Sequence, residues 1–372
     1  MAGRVVLLGA TGFTGRLAAE ALVRAGLAPV LAGRSEDALV ALVADLAGLG
    51  PIDAAPTWEH ADASDPGSIR DLVRSPDDVL VTTVGPFTRL GRPALEAAID
   101  QGCAYVDSTG EPPFVRAVFE RDHEPALRRR ARLLTAFGYD YVPGNLAGAL
   151  ALQDAGGAAV RVEVGYFVRG PMAASSGTRA SLAAVVAARP FCFHGGRIAE
   201  RSSGVVAFGV DGSQRSGMPV GGSEHFALPR LSPALREVGV YLGWAGQLTR
   251  AVHLSAQVTA QARRIPLVGP ALDAGVAWAG GSATGVGPSA LERSGSATVV
   301  VARALDGVGR VLGEALVEGP SPYDLTADLL AWGAAMLATR RELGTGALGP
   351  ADAFGLTELV DGCAAMGLVR VG

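Results

Sequence analysis

Gly9, Gly12 and Gly15 stand at three-residue spacing in the segment GATGFTG, directly after an apolar, β-branched run from Arg4 to Leu8. Glycine at such positions lets the backbone turn sharply, approach a pyrophosphate closely and pack a helix against the preceding strand. A helical pattern from Arg16 to Arg24 begins where the loop ends, and the free amides of its first turn would hold the phosphates. Thr11, Phe13 and Thr14 complete the loop. The chain holds 51 glycines, so the strand, turn and helix context carries this reading rather than the spacing alone. The chemistry it points to is the binding of a dinucleotide.

A second apolar run, Pro29 to Ala32, ends in Gly33, Arg34 and Ser35. An enzyme using NAD would place a carboxylate there on the ribose hydroxyls, whereas an arginine and a hydroxyl can grip a 2'-phosphate, so NADP is expected. The alternative is that Arg34 only starts the next helix. Asp62, after a third candidate strand, either touches the adenine or caps a surface turn. Asp78 to Val84 reads as a fourth strand, and its exit into Gly85, Pro86 and Phe87 sets an open backbone where the nicotinamide end should lie. A helix from Pro93 to Gln101 leads to a fifth strand, Ala104 to Asp107, which ends in Ser-Thr-Gly-Glu; Gly110 of that turn is counted with the cofactor site.

Polar side chains gather where these strands end. Asp107, Thr109 and Glu111 follow the fifth strand, and Tyr139, Asp140, Tyr141 and Asn145 follow the sixth. In a doubly wound sheet they face the expected cleft. Tyr139 or Tyr141 could donate a proton or hold a carbonyl, or could pack in an interdomain seam. Asp140 could bind a substrate amine or order the turn into Pro143. Glu111 is expected to cap a helix from Phe114 in preference to touching substrate. His225, beside Glu224, is a candidate proton donor near neutral pH or a surface hydrogen-bonding group. Asp107, Glu111, Asn145, Ser176 and Thr178 are the candidate substrate-binding residues.

Composition narrows the rest. A chain of 372 residues exceeds the roughly 100–200 expected of one domain, and a formal charge of -4 gives no basic field for nucleic acid. All 32 cationic side chains are arginine. Without lysine there can be no side-chain Schiff base, no phosphate-binding loop of the P-loop kind and no tyrosine-lysine pair of the short-chain dehydrogenases. Cys103, Cys192 and Cys363 lie far apart, which suits a reducing cytoplasm and gives neither a metal site nor a disulfide framework. The start of the chain leaves no room for a leader peptide. The stretch Pro266 to Gly287 is apolar but diluted by glycine and proline, so a peripheral lipid contact is allowed and a transmembrane span is not expected. The expected partner is a small-molecule or acyl substrate, and a homodimer is compatible with everything above.

Taken together, GATGFTG, the GPF after the fourth strand, AYVDSTGEPPF after the fifth, and AFGYDYVPGNLAG resemble the saccharopine dehydrogenase-like oxidoreductases. Ser176, Gly177 and Thr178 look like that family's turn before a helix. The stretches GPSALERSGSATVVVARALDG and SPYDLTA are similar to its actinobacterial trans-acting enoyl reductase branch. The resemblance implies an α/β protein: a Rossmann doubly wound parallel sheet over 1–145, a second mixed α/β domain for substrate or oligomerisation over 146–320, and C-terminal helices over 321–372 returning to the first lobe. Strand patterns at Val160 to Arg169, Gly204 to Val210 and Ser296 to Ala304, and a helix from Asp324 to Leu343 stopped by Gly344, agree with it independently. It further implies hydride transfer from NADPH to a conjugated enoyl thioester or imine carbon. The alternatives are an amino-acid dehydrogenase of saccharopine type, with Arg89 and Arg179 as carboxylate ligands, and a non-catalytic NADP-binding scaffold at a lipid surface.

Overall fold

The computed structural model describes residues 3–49, 55–171, 175, 190–201, 204–244, 246, 249–250, 253–254, 287–340 and 342–372. Two compact units form, one of Met1–Asp140, Gly285–Gly287 and Pro322–Leu348, the other of Tyr141–Thr284, Pro288–Ser321 and Gly349–Gly372.

The first unit opens with β1 (Val5–Leu8), α1 (Phe13–Arg24) and β2 (Val30–Gly33), and every residue of both strands is buried. Continuously apolar strands of this kind belong to a parallel sheet covered on both faces. They are followed by α2 (Glu36–Leu46), β3 (Thr57–His60), α3 (Pro66–Leu72), β4 (Val79–Thr82), α4 (Phe87–Leu90), α5 (Arg92–Gln101) and β5 (Ala104–Asp107). Then α6 (Pro112–Ala117) runs through one wide π-turn at Val118–Asp122 into α7 (His123–Arg129) and β6 (Arg132–Leu134). Local signals set the boundaries. Ser35 Oγ accepts from Ala38 N–H and Asp65 Oδ1 from Gly67 N–H, capping α2 and α3, while Gly102 in the left-handed conformation ends α5.

The second unit contains α8 (Val142–Asp154), β7 (Arg161–Arg169), β8 (Cys192–His194), β9 (Arg197–Ala199), β10 (Val206–Val210), β11 (Ser213–Val220), α9 (Glu224–Leu231), β12 (Glu237–Leu242), α10 (Ala290–Ser294), β13 (Ala297–Leu305) and β14 (Val311–Gly319). The chain then returns to the first unit as α11 (Pro322–Thr339) and β15 (Gly346–Ala347), and rejoins the second as α12 (Pro350–Phe354), α13 (Leu356–Ala365) and β16 (Val369–Val371).

In the first unit the strand order is β15-β6-β5-β4-β1-β2-β3 with every pair parallel. The direction of winding reverses at β1 and β4, the position at which open α/β sheets bind ligands beyond their carboxyl ends. α11 packs on α1, β4 and β5. Its C-terminal carbonyls are held by Arg132, whose guanidinium donates to Leu337 O (3.4 Å) and Arg340 O (2.9 Å).

In the second unit β10-β11-β12-β7-β13-β14-β16 make a mixed sheet, parallel only where β12 meets β7 along that path. Phe167, Phe208, Val210, Tyr241, Val299 and Val301 form a buried cluster in this unit, and α8 lies against β7, β13 and β14. Both sheets, and the return of α11 to the first unit, agree with the expected fold class. The last segment is divided where one return of 321–372 was expected. β16 pairs with β14, Arg370 bridges to Asp154 and Arg230 to Asp352, which holds Gly349–Gly372 in the second unit. Among the described residues no helix is long and apolar enough to cross a membrane. The Pro266 to Gly287 stretch lies outside the described residues except for Gly287.

Candidate functional site

The glycine loop joins β1 to α1, and close packing explains its residues. Gly9 has φ +86 and donates to Ala32 O (2.9 Å), while Gly12 N–H returns to Gly9 O (3.0 Å). A Cβ added at Gly15 would lie 2.0 Å from Gly9 O, and one at Gly9 would lie 2.6 Å from Val84 Cγ2. Only hydrogen allows the helix to approach the turn this closely. Helix α1 has no side-chain cap and no acid in its first turn, so its leading amides and its positive dipole end are not already neutralised by a carboxylate. These residues therefore fit a dinucleotide pyrophosphate. Phe13 is placed differently from the rest of the loop. Its ring packs edge-on against Tyr323 of α11, centroids 5.1 Å apart, so it ties α11 to α1.

At the neighbouring strand ends, Arg34 is exposed, with no hydrogen bond or ion pair to the described residues, and Ser35 Oγ caps α2. Arg34 precedes the helix and Ser35 occupies its N-cap position, so the turn leaves the guanidinium free to meet a phosphate. Asp62 Oδ1 accepts from Ser64 N–H (2.8 Å) and Oγ–H (2.7 Å). These bonds, with help from Arg34 and His60, hold its carboxyl below the usual carboxylate range. Asp62 thus orders its own turn.

The segment after β5 organises the loop after β4. Asp107 Oδ1 accepts from Ala136 N–H and Thr109 N–H, Glu111 N–H donates to Thr109 Oγ1, and the Glu111 carboxylate accepts from Phe87 N–H (2.7 Å), Thr88 N–H (3.0 Å) and Thr88 Oγ1–H (2.7 Å). Glu111 stands at the N-cap of α6 without a side-chain cap bond. It caps α4 instead, and this corrects the expectation that it caps the helix from Phe114. Phe87 is buried with its ring against Phe114 and its amide on Glu111, so within the Gly85, Pro86, Phe87 turn it is Gly85 that is exposed. Burial pushes the Asp107 carboxyl up to about 6, against the pull of its hydrogen bonds. Its Oδ2, Tyr105 Oη and Thr135 Oγ1 are buried without a hydrogen bond of normal geometry.

Asp140 is the acid beyond the ends of β5 and β6 that the structure leaves open among the described residues. It keeps partial exposure and has no hydrogen bond or ion pair to the described residues, and its carboxyl lies against Gly110, where a Cβ would come within 2.6 Å of Oδ2. Desolvation by the surrounding protein pushes it up to about 7. Tyr139 is buried, and its N–H donates to Thr326 Oγ1 (3.0 Å).

The remaining candidates fall in the second unit. Tyr141 packs edge-on against Tyr166. Tyr166 Oη accepts from Gly144 N–H (2.9 Å) and donates to Glu224 Oε1 (2.5 Å), and Asn145 Nδ2 donates to Tyr141 O and Ser223 Oγ. This buried network seats the first turn of α8 and gives Asn145 a structural use. His225 is buried, with Nδ1 accepting from Phe193 N–H (3.4 Å) and Nε2 facing Val220 O (3.2 Å). Burial lowers it to about 4, which contradicts the role of a proton donor near neutral pH. With Nδ1 accepting from Phe193 N–H, Nε2 carries the proton of the neutral imidazole and directs it to Val220 O, which leaves no free N–H for a substrate. Ser176, Thr178 and Arg179 lie outside the described residues. Sequence reading missed Tyr166 and Thr326, since residues 22 and 187 positions from their partners leave no local signal.

Residues 5–136 match the family described as the saccharopine dehydrogenase NADP binding domain. That match lies wholly within the first unit. NADP is the cofactor it implies, and the glycine turn, α1 and Arg34 are the parts of the unit that fit it. A Mycobacterium tuberculosis protein named as a candidate trans-acting enoyl reductase is 42% identical over 147 residues, 38% of this chain and 34% of the relative. The trans-acting enoyl reductase of Mycobacterium leprae is 40% identical over 146 residues, with the same coverage. The matched region spans about a third of these relatives' length. Apo saccharopine dehydrogenase (L-Glu forming) of Saccharomyces cerevisiae superposes over 99% of both chains with a TM-score of 0.56 at 12% identity, a likeness of fold.

Proposed function

We propose that this protein is an NADPH-dependent reductase that acts on a conjugated enoyl thioester of a biosynthetic intermediate. NADPH supplies the hydride. The observation that carries the reading is the pairing, in one NADP-binding unit, of a phosphate cradle at Gly9–Gly15 with an unengaged acid, Asp140, against Gly110 at the carboxyl end of β5. The names of the mycobacterial relatives support an enoyl acceptor.

Reduction of a conjugated double bond needs a hydride at one carbon and a proton at the other. An acid near neutrality can hold that proton at pH 7 and release it to a developing enolate. Asp140 meets this requirement; Asp107 and Glu111 position the loop, and His225 is silent. Glu111 fixes the backbone at Phe87 and Thr88, so the ring of the cofactor would meet a preorganised turn.

The test is NADPH consumption with short enoyl thioesters, using deuterium at the cofactor C4 and solvent deuterium at the second carbon. Asp140→Asn is expected to lower kcat by about 10²–10³-fold, the scale of a lost general acid. Wild-type kcat should fall as pH rises through about 7, because the acid form is the active one. Turnover by Asp140→Asn at the wild-type rate would remove Asp140 from the mechanism. A second reading, an amino-acid or imine dehydrogenase, is favoured by Arg89, an exposed cation at the end of α4 with no partner among the described residues. Turnover of an imino acid with loss in Arg89→Ala would select it. Tight NADPH binding without turnover of either acceptor class would select the scaffold reading.

A further inference from the structure

We propose that His60 is a specificity-determining residue of the NADP site, a second nitrogen donor that meets the 2'-phosphomonoester of the cofactor beside Arg34. The inference rests on the NADP-binding reading of the first unit. In the parallel pairing of β2 with β3, His60 is the register partner of Gly33, the residue before Arg34, and Ala61 N–H closes the pair on Gly33 O (2.9 Å). Arg34 is one residue beyond that pair, so its side chain leaves the neighbouring strand end about one residue's rise from His60. This is the carboxyl end of β2, where a bound dinucleotide presents its adenosine ribose. Both side chains are exposed, and neither has a hydrogen bond or ion pair to the described residues. Both act on the Asp62 carboxylate, so one point lies within electrostatic reach of each.

Charge shows why one arginine is insufficient. Arg34 contributes +1 and Asp62 -1, which leaves that corner near neutral for a phosphomonoester of charge about -2. Glu36 and Asp37 in the first turn of α2, and Asp65 at the cap of α3, add further negative charge. Glu59 is taken up by Arg74 and Arg4. An N–H-donating imidazole at position 60 supplies a further donor to the phosphate, and Ser35 Oγ–H, whose oxygen already accepts from Ala38 N–H, remains able to donate.

The test is calorimetric binding of adenosine 2',5'-bisphosphate and of AMP, which differ by the 2'-phosphate, to wild type, His60→Gln, His60→Arg and Arg34→Ala. The exposed position lets each variant fold. His60→Gln should weaken the bisphosphate about five-fold, the scale of an exposed charged contact, and leave AMP unchanged, while His60→Arg should match or exceed wild type. An unchanged bisphosphate affinity in His60→Gln, or an equal loss for both ligands, would overturn the proposal. If wild type bound neither bisphosphate nor NADPH, the NADP reading itself would fall, an outcome distinct from the first two.

Discussion

His225 and Asp140 are both shifted by burial, in opposite directions, and the proposed mechanism uses only Asp140. The imidazole at about 4 sits below its unfolded value of about 6.5. Below pH 6.5 the unfolded chain therefore takes up a proton that the folded chain refuses. Stability is unaffected above that pH and falls as pH drops toward 4, by up to about 3 kcal/mol. Denaturant titrations of wild type and His225→Gln between pH 7 and 4 should show a steeper loss in wild type, and parallel curves would refute the assignment. Glu111 gives the second prediction at this scale. Replacing it by alanine leaves buried Phe87 N–H without its acceptor and should cost roughly 2–3 kcal/mol, with a raised Kd for NADPH because the loop loses its anchor. Asp107 and Glu111 stand out in the sequence as polar residues at a strand end, but whether such a carboxylate faces substrate or a neighbouring backbone amide depends on the next loop. That contact is made 24 residues away for Glu111 and Phe87.

At the scale of elements, glycine positions mark close approach. Gly15→Ala would set a methyl 2.0 Å from Gly9 O and push α1 off its turn; NADPH affinity should drop by more than about ten-fold while the far-UV circular dichroism stays near wild type. In β7, a Cβ at Gly165 would lie 2.9 Å from both the Phe167 and Phe208 rings. Gly165→Ala should destabilise the second unit by about 1–3 kcal/mol, seen as a lower midpoint in thermal unfolding. The first strand, its loop and helix were legible because an apolar run meeting a glycine loop has few alternatives. Strands β13 and β7 were legible by their aliphatic patterns. The short β8, β9 and β15 were not, since two or three residues carry no period and exist only through partners distant in sequence.

Considered whole, the molecule builds each unit from separated stretches of chain. The expected return of the C-terminal helices was legible in outline, because an apolar helix from Asp324 needs a surface to cover. Its division at Gly349 was not, because β16 is three residues long and is defined by its pairing with β14. The interruption bears on the order of events during synthesis. Roughly 180 residues separate Asp140 from Pro322; at about 5–20 residues per second a ribosome needs on the order of 10–40 s to make them. Throughout that interval α1, β4 and β5 are finished while the helix that covers them has not been translated. A nascent chain stalled at Ser321 should therefore recruit holding chaperones and be cut readily by protease, and a chain extended past Leu348 should lose both properties.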